Sequence, residues 1–172
     1  LGDGRCSKYT ALNPQLLQTE RFLPGDSFEF DVIITNDDED DVSSALVTLL
    51  YEPSSLSIED ITIDSQYFTD ITPGGSDSSD ENGIITLNVS MPNGSSLNDS
   101  RIRVATVTAS ILQSAGSSTV ISYLLQSDKT AVNDASGTDV LNGTPASLQV
   151  LIDQSGTGEP GTVINQGTAD DT

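Results

Sequence analysis

The strongest constraint on the fold is a two-residue hydrophobic period. It recurs along the chain and is broken by turn residues roughly every 8 to 15 positions. Phe28, Phe30, Val32 and Ile34 share one register, and Glu29, Asp31 and Thr35 share the other, with Ile33 the exception. A period of two is the geometry of a strand, whose successive side chains point to opposite faces. Ala45, Val47, Leu49 and Tyr51 repeat it against Leu46, Thr48 and Leu50. Ile85, Leu87, Val89 and Met91 repeat it against Thr86, Asn88 and Ser90. Ala146, Leu148, Val150 and Ile152 close the pattern. Further strands are read within 9–22 (two short ones, separated by Pro14 and closed by the Pro24-Gly25-Asp26 turn), 55–63, 101–112, 118–126 and 129–142. Residues 69–83 and 92–100 read as polar loops. No segment keeps a helical period. The expectation is an all-β chain: an antiparallel, jelly-roll-like β-sandwich of about nine strands, each sheet with one wet face.

With 172 residues, 35% of them hydrophobic, the chain suffices for one domain with its own core. Residues 1–8 read as a leader or linker, 9–152 as the sandwich, and 153–172 as a linker or assembly tail. In that tail only Val163 and Ile164 are bulky and apolar. Thr162, Val163 and Ile164 are therefore the candidates for a strand that pairs with a neighbouring subunit, against the plainer expectation of a flexible linker.

Twenty-six acidic residues oppose six basic ones, for a net charge of -20. Such a field repels phosphates and argues against nucleic acid or an anionic membrane as partner. No apolar run is long enough to span a bilayer. The absence of His removes the commonest general base and metal ligand. A single cysteine, Cys6, excludes an intrachain disulfide and leaves an intermolecular one as a candidate.

The carboxylates divide into candidate Ca²⁺ ligands and ordinary loop charges. Asp37, Asp38 and Asp40 lie in one acidic loop, Asp77 and Asp80 in a second, and Asp134 and Asp139 flank the Gly137 turn. None has the spacing of an EF-hand loop, and the last pair suits a turn better than it suits a metal. Carboxylate pairs at glycosidase spacing are unavoidable among so many acids, so they do not point to an enzyme. There is no Trp, and aromatic content is 5%, which is thin for a sugar-stacking platform. The adjacent Tyr67 and Phe68 are expected in the core. Asn88, Asn93, Asn98 and Asn142 each begin an N-x-S/T sequon, the acceptor motif for N-glycans on surface loops of secreted proteins.

Four segments, taken in order, resemble the cohesin family. "FLPGDSFEFDVIITN" is similar to its opening strand after a Gly-Asp turn, and "VSSALVTLLYEPSSLSI" to its strand followed by a Tyr-acidic-Pro step. "RVATVTASIL" is similar to the strand before the last hairpin, and "TAVNDASGTDVLNGTPASLQVLI" to the terminal segment. The resemblance covers residues 9–152 and implies a nine-stranded sandwich with a binding role. The long acidic loops and the tail depart from the family. The function expected is a non-catalytic, extracellular or cell-surface module. It would bind another protein, such as a dockerin-like partner, or its own copies as a filament or surface-layer subunit, through sheet edges and tail. The alternative is a carbohydrate-binding module.

Overall fold

The computed structural model describes residues 10–16, 22–68, 77–92, 95–126, 128–143, 145–154 and 163–165. Two antiparallel sheets pack face to face. The smaller has the order β1–β2–β7–β4, with β1 Thr10–Leu16, β2 Ser27–Asn36, β7 Arg101–Ile111 and β4 Leu56–Ile63. The larger runs β11–β10–β8–β3–β6–β5, with β9 also paired to β3. Its strands are β3 Val42–Leu50, β5 Asp77–Glu81, β6 Ile84–Ser90, β8 Ser118–Tyr123, β9 Ala131–Asp134, β10 Leu148–Leu151 and β11 Val163–Asn165.

The alternating residues read from the sequence form the core. Phe28, Phe30, Val32 and Ile34 of β2 are all buried against Val47 and Leu49 of β3, Leu87 of β6 and Leu148 and Val150 of β10. Phe22, Phe28 and Phe30 stack along one end, with ring centroids 5.3 and 6.3 Å apart. Each such ring contributes roughly 1.5–3 kcal/mol by leaving water. Phe68 is in the core, with Tyr67 packed beside it.

Three local expectations change. Pro14 does not split the first segment, because β1 is an edge strand and tolerates a residue that cannot donate to a ladder. Asp77–Glu81 is a strand and not a loop: a turn at Asn82 and Gly83, both at positive φ (53° and 85°), folds it back onto β6. Val163–Asn165, in the segment read as a linker or an assembly tail, pairs with β10 of the same chain. With β5 and β11 added, the described residues form eleven strands. Ile33, the misfit of β2, is buried where β2 and β7 slip register between Val32 and Ile33.

Candidate protein-docking face

The outward face of the larger sheet follows from its register. Ser122 of β8, Leu50 of β3, Ile84 of β6 and Glu81 of β5 lie in one row. Thr48, Thr86 and Ser79 form the next row, and Ala131, Leu46, Asn88 and Asp77 the one after. Ser44, Ser90 and Asn133 complete the far end. Toward the other edge, Val120 of β8 pairs with Gln149 of β10, and Gln149 with Ile164 of β11. On β8, β3 and β6 none of these outward positions is charged. Ile84 and Val120 are 41% and 45% exposed, and Leu125, just beyond β8, is 61% exposed.

Thr48 sits at the centre of the face and is buried there. Here β3 changes partner, from β9 at its start to β8 at its end. The Thr48 N–H donates to Thr130 Oγ1 at 3.2 Å, and its hydroxyl donates to the Lys129 carbonyl at 2.6 Å. The Leu124 N–H donates to the Thr48 carbonyl at 2.9 Å. The strand ladder is therefore interrupted at Thr48, and the 124–130 connection satisfies its backbone and hydroxyl in place of a strand.

The opposite face of the sandwich differs in kind. Ser110 Oγ donates to Glu59 at 2.7 Å, and the Thr106 hydroxyl donates to Asp31. Arg103 bridges Asp64 at 2.7 Å and Asp31 at 3.9 Å, and both carboxylates are nearly buried. These contacts hold the Arg103 guanidinium above its ordinary pKa, with the Asp64 hydrogen bond the first cause.

Among the described residues no three His, Cys, Asp or Glu side chains are placed to hold an ion. Most of the candidate metal ligands instead accept hydrogen bonds from the chain itself. Asp38 accepts from Asn142 Nδ2 at 3.1 Å, Asp40 from Thr10 Oγ1 at 3.0 Å and Asp80 from the Tyr51 hydroxyl at 2.6 Å. Asp139 accepts from the N–H of Val132 and of Leu141. Asp134 accepts from Ser136 and Thr138 across the Gly137 turn, and the Ser136 hydroxyl bond leads in lowering its pKa. Asp37 is exposed, and the side chain of Asp77 lies outside the described residues. Asp40, Asp41 and Asp134 do share one shallow concavity with Glu39, yet this brings acids together without a ligand set.

Of the sequon asparagines, Asn88 is exposed on the uncharged face and Asn98 in the connection from β6 to β7. The exposed Asn142 has its amide held at both ends, by the Thr10 N–H at 2.9 Å and by Asp38. Asn93, Cys6 and Thr162 lie outside the described residues, and Val163 and Ile164 lie in β11. Of the described aromatic residues, Tyr51 and Tyr67 are half-buried and the others are buried. The uncharged face itself had a signal in the sequence: the run Ala45–Leu50 stays apolar on both registers but for Thr48. Such a strand covers core with one side and shows apolar groups on the other.

The sequence model of the Cohesin domain matches residues 15–152, most of the chain. The chain belongs to the cohesin domain family. Cohesin domains are non-catalytic protein-interaction modules. Among curated proteins none matches in sequence. Solved cohesins share the fold at low identity. CaCohA2 from Clostridium acetobutylicum is 15% identical with a TM-score of 0.63, over 95% of this chain and 94% of its own. The cohesin module of a family 33 glycoside hydrolase from Clostridium perfringens is 15% identical with a TM-score of 0.63, over 87% and 100%. The sixth cohesin of scaffoldin B from Acetivibrio cellulolyticus, solved in complex with a dockerin, is 17% identical with a TM-score of 0.63, over 85% and 100%. No helix among the described residues is long and apolar enough to cross a membrane.

Proposed function

We propose that this chain is an extracellular docking module that takes a dockerin on the outer face of β8, β3 and β6. The observation that carries the reading is the missing charge. On a protein of net charge -20, the outward positions of three adjacent strands carry no charged side chain and show Ile84 and Val120 to solvent. Interface cores are depleted of charge in this way, and exposed apolar patches with polar rims mark partner sites. The family and the dockerin-bound scaffoldin cohesin support the choice of partner and of an extracellular setting. β11 takes the β10 edge within the chain, so the reading gives docking to the sheet face and leaves 153–172 an accessory of the 9–152 unit.

The test is calorimetric titration against a panel of dockerins, with Val120→Glu and Ile84→Glu beside the unmodified chain. Each substitution puts a desolvated charge in the interface and should weaken binding about tenfold or more. Glu29→Gln, on the opposite sheet, should leave affinity unchanged. If the face substitutions bind as the unmodified chain does while Glu29→Gln does not, the face is wrongly placed.

A further inference from the structure

Of the described sequon asparagines, Asn88 alone sits inside the face assigned to docking. It lies mid-strand in β6, exposed, with Leu46 of β3 and Asp77 of β5 as its cross-strand partners. Among the described residues no side-chain hydrogen bond ties its amide, whereas that of Asn142 is tied to Thr10 and Asp38. Outward side chains directly opposite on neighbouring strands stand about 5 Å apart. A sugar on Asn88 Nδ2 would therefore lie over Leu46 and the Thr48–Thr86 row.

Resting on the docking reading above, we infer that Asn88 is an N-glycan acceptor whose occupancy closes the face. In the transfer, Asn88 Nδ2 bonds to the anomeric carbon of a lipid-diphosphate-linked oligosaccharide. The bond from that carbon to the phosphate oxygen breaks, the lipid diphosphate leaves, and one amide proton passes to a base of the transferase. The sequon Asn88-Val89-Ser90 survives intact, with Asn88 Nδ2 now secondary. A branched, hydrated sugar cannot be accommodated in an interface core packed as densely as a protein interior. Docking and modification then exclude one another, and the glycosylated fraction is a population held out of assembly.

The test uses the whole chain secreted from a host that attaches N-glycans only in part. The preparation is passed over a dockerin that binds the same chain made without glycans, and peptide mass mapping gives site occupancy in the bound and unbound pools. Asn88 occupancy should be depleted about tenfold or more in the bound pool. Asn98 occupancy, outside the face, should be equal in both. Asn88 bare while Asn98 is occupied overturns the inference and leaves the docking reading standing. Asn88 occupied equally in both pools overturns the inference and moves docking to another surface. If no dockerin binds the glycan-free chain, the docking reading fails and the inference falls with it.

Discussion

The Nε of Arg103 donates to the Asp64 carboxylate at 2.7 Å, tying β7 to the turn that follows β4. The side chains of Asp64 and Asp31 are only 6% and 7% exposed, while that of Arg103 is 48% exposed. Removing the guanidinium strands two carboxylates away from water. Breaking a fully buried pair costs about 3–5 kcal/mol, but solvent reaches Arg103 and screens the loss. Arg103→Ala should therefore destabilise the domain by about 1–2 kcal/mol, lowering the melting temperature by about 3–6 °C. An unchanged urea midpoint would show that the contact adds nothing to stability.

Gly83 closes the β5–β6 turn at φ 85°, and a Cβ there would meet the Tyr51 carbonyl oxygen at 2.8 Å. The Gly83 carbonyl also accepts from the Tyr51 N–H at 2.9 Å. Gly83→Ala thus meets both backbone strain and a rigid clash. A loss of about 1–3 kcal/mol is expected in chemical denaturation. Gly137→Ala, with the same φ and open space around it, should cost less. Equal losses would mean that φ alone sets the penalty.

The Tyr51 hydroxyl is pushed up to about 12, by burial first and then by its hydrogen bond to Asp80. The folded state prefers the neutral phenol, so this stabilisation is present below the ordinary tyrosine value of about 10 and disappears as pH rises through the folded value. Ultraviolet difference titration of the chain against Tyr51→Phe isolates the group. Asp80→Asn should move its titration toward the ordinary value. No movement would assign the whole shift to burial.

Asp134 lies below the ordinary aspartate range because Ser136, Thr138 and Gly137 donate to it. Its contribution is present above the unfolded value of about 3.9 and is lost as pH falls through the lower folded value. The stability difference between the unmodified chain and Asp134→Asn should shrink in that acid window, and carboxyl carbon shifts in NMR should report the low titration directly. A difference constant from pH 6 to pH 2 would remove the turn hydrogen bonds as its cause.

Much of the fold was legible because burial imposes its period on the sequence. Phe28 to Ile34 and Ala146 to Ile152 could be assigned to one face before any coordinates. β5 was not, because "DSSDE" has no apolar side to pattern. The Asn82-Gly83 pair beside it was the available hairpin signal, since both residues tolerate positive φ. The site was harder to read, because a docking face is defined by the side that does not pack, and Leu46, Leu50 and Ile84 look like core in one dimension. The acids were legible in part, since the Gly137 turn was the stronger reading for Asp134 and Asp139. Asp134 and Asp139 carry a turn, and their place as hydrogen-bond acceptors depends on backbone N–H groups whose direction is set only by the folded chain.

The two ends of the sandwich are joined late in the chain. The Thr10 N–H donates to Asn142 Oδ1 across 132 residues, and the Ala146 N–H donates to the Leu12 carbonyl. β1 can therefore complete its contacts only after almost the whole domain has been synthesised. Folding governed by such distant pairings is slow, on the order of milliseconds to seconds. A nascent chain halted before Ala146 would leave the outer side of β8 without β10, as an open template for a neighbouring strand. Residues 148–151 are thus the cover of that edge, and β11 in turn covers the edge that they leave open.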